Sequence, residues 1–236
     1  MTTPLHIGIV ACSAEGAALC YRTICTEAPS LLGRYVHPEV SMHTHCLRDY
    51  MQAIEADDWS GVAELMLDSA RKLQRCGAEF LIAPDNTIHR AFTLVAQASP
   101  LPWLNIAEEV AHAAREHGFH RLGITGTRYT MEGPVYPEVL ARYDIGYQIP
   151  SPLDRSRIDQ IIFDELVNGI FRSDSLGVIS VAISRMKAEG CDAVVLGCTE
   201  LPLLIGNETS PLPVLDSTRL LARAAIRHSI TAGGAP

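Results

Sequence analysis

Two short segments of the sequence carry side chains that could accept and return a proton. Asp85 lies in the sequence Pro-Asp-Asn-Thr, and Cys198 lies in the sequence Gly-Cys-Thr-Glu. A carboxylate and a thiolate are both general bases, and their protonated forms are general acids. The two residues therefore indicate a cleft with one proton-transfer group on each side.

Both residues also have purely structural interpretations. Asp85 or Asn86 could cap the helix that follows, as short polar side chains commonly do, and a free cysteine is often just a small buried residue. Two observations favour chemistry for Cys198. It is predicted at a strand-to-helix turn, where backbone N–H groups favour the thiolate. It also occupies the position equivalent to Asp85 in an internal repeat.

The repeat relates the two halves of the chain. Residues 99–104 read Ser-Pro-Leu-Pro-Trp-Leu and residues 210–215 read Ser-Pro-Leu-Pro-Val-Leu, while Gly-Ala-Glu at 77–79 corresponds to Gly-Cys-Asp at 190–192. These anchors keep their order with nearly constant offsets, as expected of a duplicated unit. The predicted repeat units are approximately 5–117 and 120–230, and the predicted lobes are 1–101 plus 213–236, and 102–212.

The hydrophobic pattern places these segments in an alternation of strands and helices. Short, continuous apolar runs are typical of parallel strands covered on both faces, and apolar residues three and four positions apart indicate amphipathic helices. The predicted strands are 5–10, 39–46, 80–83, 122–125 and 193–196, and the predicted helices are one from about Glu15, 62–73, 158–171 and 176–187. The alternation predicts an α/β fold of two flavodoxin-like or Rossmann-like lobes, each a parallel sheet flanked by helices.

Ligands bind beyond the carboxyl ends of the strands in such sheets, and Asp85 and Cys198 both follow a strand there. The N–H groups of Asn86 and Thr87 are predicted to open a helix, where unsatisfied donors attract anions. The segment Gly-Thr-Arg-Tyr-Thr at 126–130 follows another strand and could hold an anion too. It matches neither a dinucleotide-binding motif nor a P-loop.

Three arginines, Arg48, Arg90 and Arg128, are candidates for binding a substrate carboxylate. Each of them also fits a solvated position on the surface, which is the commoner place for an arginine.

A metal site is the competing interpretation of the histidines at 37–45. His43 and His45 would share one face of a strand, with Cys46 beside them. However, histidines two residues apart on a strand can simply be one face of a sheet, and no second group of ligands has zinc-like spacing. The sequence therefore predicts no metal.

Composition limits the functional class. The formal charge of −8 and the pI near 5.6 argue against a nucleic-acid partner. No apolar run is long enough to span a bilayer, and the N-terminus shows no signal-peptide pattern. The seven cysteines lack paired spacing, which favours reduced thiols in the cytoplasm. The last six residues, Thr-Ala-Gly-Gly-Ala-Pro, are predicted to fray.

At the positions singled out above, the chain resembles the aspartate/glutamate racemase family, in particular its broad-range amino-acid racemases. The resemblance runs in order over most of the chain, and its Gly-Cys-Thr-Glu loop is specific. The matching stretches are 83–87, 126–131, 159–163, 197–200 and 212–216.

The resemblance implies two pseudo-symmetric lobes with the active site between them, and racemisation of an amino-acid substrate without pyridoxal phosphate or metal. Two residues on opposite faces of the α-carbon exchange the proton in this family, and the matching positions are Asp85 and Cys198. Backbone amides and Ser/Thr side chains hold the substrate carboxylate. The resemblance also implies a homodimer. The candidate substrate-binding residues are Ser13, Asn86, Thr87, Thr127, Thr199, Glu200, Arg48 and Arg128.

The chain departs from the family pattern at two places. Asp85 stands where members usually have Cys, or in some cases Thr, and a carboxylate is a weaker base than a thiolate unless its surroundings favour the protonated form. An Asp-COOH/Cys-S⁻ or Asp-COO⁻/Cys-SH pair would still supply the asymmetry that a two-base racemase uses. Residues 11–14, Ala-Cys-Ser-Ala, replace the family's Gly-Gly-Met, and no lysine is placed to bind a distal carboxylate.

Three functions remain open on the sequence. The first is a cofactor-independent racemase or epimerase of an α-amino acid, with aspartate and glutamate as the first substrates to test. The second is decarboxylation of a malonate-like acid, in which a single cysteine protonates an enediolate held in a dioxyanion hole. The third is an amino-acid-binding protein that has lost its first base. The match at 126–130 favours the racemase.

Overall fold

The computed structural model describes residues 3–232, and the chain forms two compact units. The first unit contains the residues up to Ile106 together with those from Thr218 onward, and the second is Ala107–Ser217. Of the tail predicted to fray, residues 233–236 lie outside the described part, whereas Thr231 and Ala232 close the last helix.

Each unit is built on a parallel sheet. The first sheet has the strand order β2-β1-β3 and the second has the order β5-β4-β6-β7, with every pair parallel. The strands are β1 (Ile7–Ala11), β2 (Val40–Thr44), β3 (Phe80–Ile82), β4 (Arg121–Thr125), β5 (Gly146–Gln148), β6 (Ala193–Leu196) and β7 (Val214–Asp216). The predicted fold class, two parallel sheets flanked by helices, is confirmed.

Helices of very different length connect the strands. The shortest have a single turn, and the longest, α4, has 17 residues. The α-helices over residues 3–232 are α1 (Ala14–Glu27), α2 (Pro29–Leu32), α3 (Leu47–Glu55), α4 (Trp59–Arg75), α5 (Phe92–Ala98), α6 (Ile106–Glu116), α7 (Arg128–Met131), α8 (Val135–Arg142), α9 (Pro152–Gln160), α10 (Ser173–Ala188), α11 (Leu201–Leu204) and α12 (Ser217–Ala232). None of these helices is long and apolar enough to cross a membrane.

The sequence repeat has the same local structure in both copies. The Ser99 hydroxyl donates to the Leu101 carbonyl at 2.8 Å, and the Ser210 hydroxyl donates to the Leu212 carbonyl at 2.7 Å. Each Ser-Pro-Leu-Pro segment then runs parallel to the strand that precedes a candidate base. In the first unit this is the bridge between Leu81 and Trp103, and in the second it is β7 beside β6. The two units therefore share one strand order.

The C-terminal helix α12 packs in the first unit, where its apolar side forms part of the hydrophobic core. Leu221, Ala225 and Ile226 cluster with Ile7 and Phe80, both from the sheet of the first unit. The core of the second unit joins side chains of α9 and α10 to β6. In both units the buried strands carry apolar residues on both faces, as continuous apolar runs predict.

One predicted helix is wrong in extent. The segment 158–171 does not form one α-helix: α9 ends at Gln160, a π-helical turn covers Ile161–Glu165, and a 3-10 turn covers Leu166–Asn168. The Asn168 amide donates to the carbonyls of Phe163 and Asp164, so a side chain bonds backbone oxygens here. Since asparagine competes with helical hydrogen bonds in this way, the helix does not continue.

Candidate active site

The candidate residues of the first unit lie at the carboxyl edge of its sheet. Ser13 follows β1 and Asp85 follows β3, and these strands are direct neighbours with Ile9 paired to Ile82. The Ser13 hydroxyl caps α1 by accepting from the Gly16 N–H at 3.3 Å. The edge where ligands bind in parallel sheets thus carries both predicted side chains.

The Asp85 turn combines a helix cap with a partly exposed acid. The Asp85 carboxylate accepts a hydrogen bond from the Ile88 N–H at 3.2 Å, at the start of a 3-10 helix over Thr87–Ala91. Asn86 is buried, whereas Asp85 and Thr87 are half-buried. The capping interpretation therefore describes a real contact. A carboxylate has room for further partners, so this contact leaves proton transfer possible.

His89 forms a hydrogen bond with the backbone just before this turn, and sequence reasoning missed it. Its Nε2–H donates to the Ala83 carbonyl at 3.0 Å, and its ring stacks on Phe92 at a centroid distance of 5.3 Å. Burial lowers the pKa of His89 to about 4, although the hydrogen bond to Ala83 opposes this. The ring is therefore neutral at pH 7, with its proton on Nε2. The only signal in the sequence is its position four residues after Asp85.

We expect His89 to make the protein sensitive to mild acid. Because its pKa is about 4 when folded and about 6.5 when unfolded, the unfolded chain binds the proton more tightly, and stability falls as pH falls from 6.5 to 4. The loss in the free energy of unfolding should approach about 3 kcal/mol below pH 4.

The His89→Gln variant keeps an N–H donor and should lose the part of the pH dependence that comes from His89. Urea unfolding between pH 7 and pH 4 measures it, with His120→Gln on the exposed surface as control. Parallel curves for wild type and His89→Gln would contradict the assignment.

Two of the arginine candidates contact neighbouring side chains at the protein surface. The Arg48 side chain is 76% exposed, and its Nε lies 3.8 Å from the Asp49 carboxylate. The Arg90 guanidinium lies 3.1 Å from the Asp57 carboxylate and 4.3 Å from the centroid of the Trp59 ring. Both positions match the solvated interpretation, so binding of a substrate carboxylate by Arg48 stays a prediction.

The candidate residues of the second unit follow β4 and β6, which are also direct neighbours, with Thr125 paired to Leu196. A Cβ on Gly197 would lie 2.7 Å from the Thr125 carbonyl oxygen, and one on Gly126 would lie 2.9 Å from the Gly197 carbonyl oxygen. Only glycine allows the two loops to approach this closely. The Thr130 hydroxyl also donates to the Gly197 carbonyl at 3.3 Å, which joins the loop containing Thr127 to the one containing Cys198.

Cys198, Thr199 and Glu200 form a compact buried group. The Cys198 thiol and the Thr199 hydroxyl both donate to Oε2 of Glu200, at 2.9 Å and 2.8 Å. All three side chains are buried. The sequence predicts Glu200 as a substrate-binding residue, and this stays a prediction. In the structure its carboxylate lies next to the thiol and accepts a hydrogen bond from it.

The geometry predicts that Glu200 restrains the reactivity of Cys198. A carboxylate 2.9 Å from the sulfur disfavours the thiolate, since like charges oppose each other. In a Glu200→Gln variant we expect iodoacetamide to alkylate Cys198 faster at pH 7, because the neutral amide no longer places a negative charge beside the sulfur. Mass spectrometry of the Cys198 peptide measures the rate, and Glu208→Gln, on the exposed surface nearby, is the matched control. Equal rates in wild type and Glu200→Gln would contradict this role.

Thr127 and Arg128 lie at the start of α7, after β4. The Thr127 hydroxyl is 3.5 Å from that of Thr130. The backbone N–H of Arg128 donates to Asp159 at 2.7 Å, and its guanidinium donates to the Tyr129 hydroxyl at 2.8 Å. The Arg128 side chain is exposed. Its role in substrate binding stays a prediction.

The histidines considered for a metal have other contacts. Nδ1 of His43 lies 3.0 Å from the Ser69 hydroxyl, and Nε2 of His45 lies 2.9 Å from the Asp68 carboxylate. Within residues 3–232 no group of three or more His, Cys, Asp or Glu side chains is arranged to hold a metal ion.

Comparison with known proteins shows which proteins this chain is similar to. The chain is 23% identical over 172 residues to the broad specificity amino-acid racemase RacX of Bacillus subtilis, covering 72% of this chain and 73% of that protein. A crystal structure of a candidate Asp/Glu racemase from Yersinia pestis matches with a TM-score of 0.89 and 28% identity, over 96% of this chain and all of that one. An aspartate racemase homologue from Pyrococcus horikoshii matches with a TM-score of 0.84 and 26% identity, over 98% of this chain and all of that one.

The family model described as Asp/Glu/Hydantoin racemase matches residues 8–225, which is most of the chain. This match includes both candidate bases and every candidate substrate-binding residue. The resemblance seen in the sequence is thereby confirmed, and the chain belongs to the Asp/Glu/hydantoin racemase family.

Proposed function

We propose that this protein is an amino-acid racemase that removes and returns the proton at Cα without pyridoxal phosphate or metal. Its main support is the buried thiol–carboxylate pair of Cys198 and Glu200 at the carboxyl end of β6, in a chain of the racemase family. RacX is a broad specificity amino-acid racemase, and the Pyrococcus structure is an aspartate racemase homologue. Aspartate, glutamate and related amino acids are therefore the first substrate class.

In the proposed mechanism, Asp85 and Cys198 serve opposite faces of one α-carbon. One group, as the carboxylate or thiolate, takes the α-proton and leaves a carbanion that is delocalised into the substrate carboxylate. The other group, as the acid, donates its proton to the opposite face and inverts the carbon. For the opposite enantiomer the roles of the two groups are exchanged.

The carbanion is high in free energy, and hydrogen-bond donors aimed at the substrate carboxylate lower that free energy. We assign this task to the backbone N–H groups of the Asn86–Thr87 turn and to the hydroxyls of Ser13 and Thr127. All of them follow the carboxyl end of a strand in their own unit. Thr199 is tied to Glu200, so we assign it to holding that carboxylate in place behind the thiol.

Glu200 holds the Cys198 thiol in its protonated form. Oε2 of Glu200 accepts from the thiol at 2.9 Å and opposes a negative charge on the sulfur. Cys198 is therefore first the acid, which donates its proton to the carbanion after Asp85 has taken the α-proton. The thiolate that this leaves is the base for the opposite enantiomer.

The family resemblance implies a homodimer, and the unpaired cysteines favour a cytoplasmic location; both stay predictions. Sedimentation equilibrium of the purified chain measures the first, and localisation of a tagged chain in cells measures the second.

Arg48 and Arg128 stay proposed partners of a distal substrate carboxylate. Charge-reversal at either residue should raise KM for aspartate and leave KM for alanine unchanged.

Proton NMR in D₂O tests the proposed function directly. The purified protein is incubated with L-aspartate, L-glutamate and a panel of other amino acids, without pyridoxal phosphate. Loss of an α-proton signal, together with appearance of the D-enantiomer on a chiral column, is the expected result. A folded protein that exchanges no α-proton of any amino acid would contradict the proposal, and malonate-like acids would then be tested.

A further inference from the structure

Asp159 of helix α9 holds the start of the neighbouring helix α7. Its carboxylate accepts a hydrogen bond from the backbone N–H of Arg128 at 2.7 Å, across a sequence separation of 31 residues. Arg128 is the first residue of α7, so this N–H has no acceptor within the helix. Asp159 lies in one of the stretches that resemble the racemase family, but neither the sequence nor the proposed mechanism gives it a role.

Thr127, the residue before α7, does not cap this helix with its own side chain. It occupies the position at which threonine commonly does so, yet its hydroxyl accepts no backbone N–H of α7. Ser13 and Ser151, at the same position of α1 and α9, each accept one at 3.3 Å. Within residues 3–232 the half-buried Thr127 hydroxyl reaches only the Thr130 hydroxyl, at 3.5 Å. Because Asp159 supplies the cap, the Thr127 hydroxyl stays available to a ligand.

Helix α9 is a firm support because it is anchored in the core of the second unit. Ile158, next to Asp159, has 0% exposure and belongs to the same hydrophobic cluster as Met131 of α7. A second contact joins the two helices at the other end of α7, where Nε of Arg155 lies 2.8 Å from the Glu132 carboxylate. Glu132 directly follows the last residue of α7. Helix α9 therefore holds α7 at both ends, and Asp159 makes the contact at its start.

We propose that Asp159 is a positioning residue, which fixes the first turn of α7 and thereby the Thr127 hydroxyl that donates to the substrate carboxylate. The inference rests on the proposed racemase function for its kinetic consequences, because that function assigns Thr127 to the carboxylate. In this role Asp159 acts through Thr127 and does not contact the substrate. A donor that is already held in place stabilises the carbanion more than one that must first be ordered.

The Asp159→Ala variant of the full-length protein removes the acceptor of the Arg128 N–H. We expect kcat/KM to fall about tenfold, since a hydrogen bond to a charged group contributes enough for this factor. A double-mutant cycle shows whether the loss acts through Thr127. Thr127→Val should lower kcat/KM by about the same factor in wild type and have little further effect in Asp159→Ala. Additive losses would show that Asp159 acts elsewhere and would overturn the inference.

Two further variants separate the position of the acceptor from its charge. Asp159→Asn keeps an acceptor oxygen at the same distance from the backbone, so its kcat/KM should stay near the wild-type value. Asp159→Glu keeps the charge on a side chain that is one CH₂ longer, so its kcat/KM should fall. Equal values or the opposite order would show that the position does not matter and would overturn the inference. Because both variants keep an acceptor, they also supply the test if Asp159→Ala does not fold.

Glu132→Gln is the matched control. It removes the charge that contacts Arg155, so it weakens the same pair of helices at the end of α7 that lies away from Thr127. We expect this variant to keep the wild-type kcat/KM. A similar loss of kcat/KM in Glu132→Gln and Asp159→Ala would mean that any loosening of the two helices lowers activity, and it would overturn the inference.

A second measurement is independent of activity. Three-bond NMR couplings of the Thr127 methyl carbon report whether its side chain keeps one rotamer. They should indicate a single rotamer in wild type and an average over several in Asp159→Ala. If wild type racemises no amino acid but this change appears, the proposed function fails and the positioning role stands. Equal couplings in the two proteins would overturn the inference, whether or not wild type is active.

Discussion

Replacing Cys198 by serine is expected to reduce racemisation by about three orders of magnitude, within the range that general acid–base groups contribute. Serine keeps the shape of the side chain and can still donate to Oε2 of Glu200, which the thiol reaches at 2.9 Å. A serine hydroxyl, however, loses its proton far less readily than a thiol. The variant therefore removes the base and leaves the surrounding contacts in place. Racemisation followed on a chiral column, with circular dichroism as the check on folding, measures the effect.

The deuterium pattern of Cys198→Ser adds a second readout. Only the enantiomer whose α-proton faces Cys198 should lose exchange in D₂O, because Asp85 still faces the other. The matched control is Cys191→Ser, since Cys191 is also buried and lies just before the amino end of the same strand, β6. We expect the control to racemise at the wild-type rate. Cys198→Ser activity within tenfold of wild type would rule out Cys198 as a base.

The sequence predicted the fold well because strand burial is a local property of the residues. Runs such as residues 80–83 and 193–196 are apolar at every position, which is typical of a strand covered on both faces. Both strands are present, as Phe80–Ile82 and Ala193–Leu196. The break after Gln160 was missed because the segment 158–171 keeps apolar residues at helical spacing. That pattern does not reveal that the Asn168 side chain bonds the backbone.

The sequence predicted where the candidate residues lie in the fold better than it predicted their contacts. Asp85 and Cys198 follow the carboxyl ends of β3 and β6, where ligands bind in parallel sheets, and their roles stay predictions. The contact between Cys198 and Glu200 depends on side-chain rotamers at the turn, which a sequence does not give. His89 was missed for another reason. Its neutral state comes mainly from burial, which the residue type and its place in the chain do not indicate.

Replacing Asp85 by asparagine is expected to reduce racemisation about a hundredfold or more, because general acid–base groups contribute at least this much. Asparagine keeps an oxygen that can accept from the Ile88 N–H, which lies 3.2 Å from the carboxylate, so the turn should keep its cap. Exchange in D₂O should persist in the enantiomer whose α-proton faces Cys198, which returns deuterium to the face it came from. Exchange in the opposite enantiomer should disappear. The two single variants would then have complementary patterns, which only a two-base mechanism produces.

The control for Asp85→Asn is Glu79→Gln, which removes the carboxylate at the other end of β3. That carboxylate accepts from the His6 N–H at 2.8 Å, so the control also removes a charge that bonds the backbone. We expect Glu79→Gln to keep wild-type racemisation. Full racemisation by Asp85→Asn would mean that Asp85 only caps the 3-10 helix. A single-base mechanism would follow, in which Cys198 alone exchanges the proton and the substrate must turn over within the site.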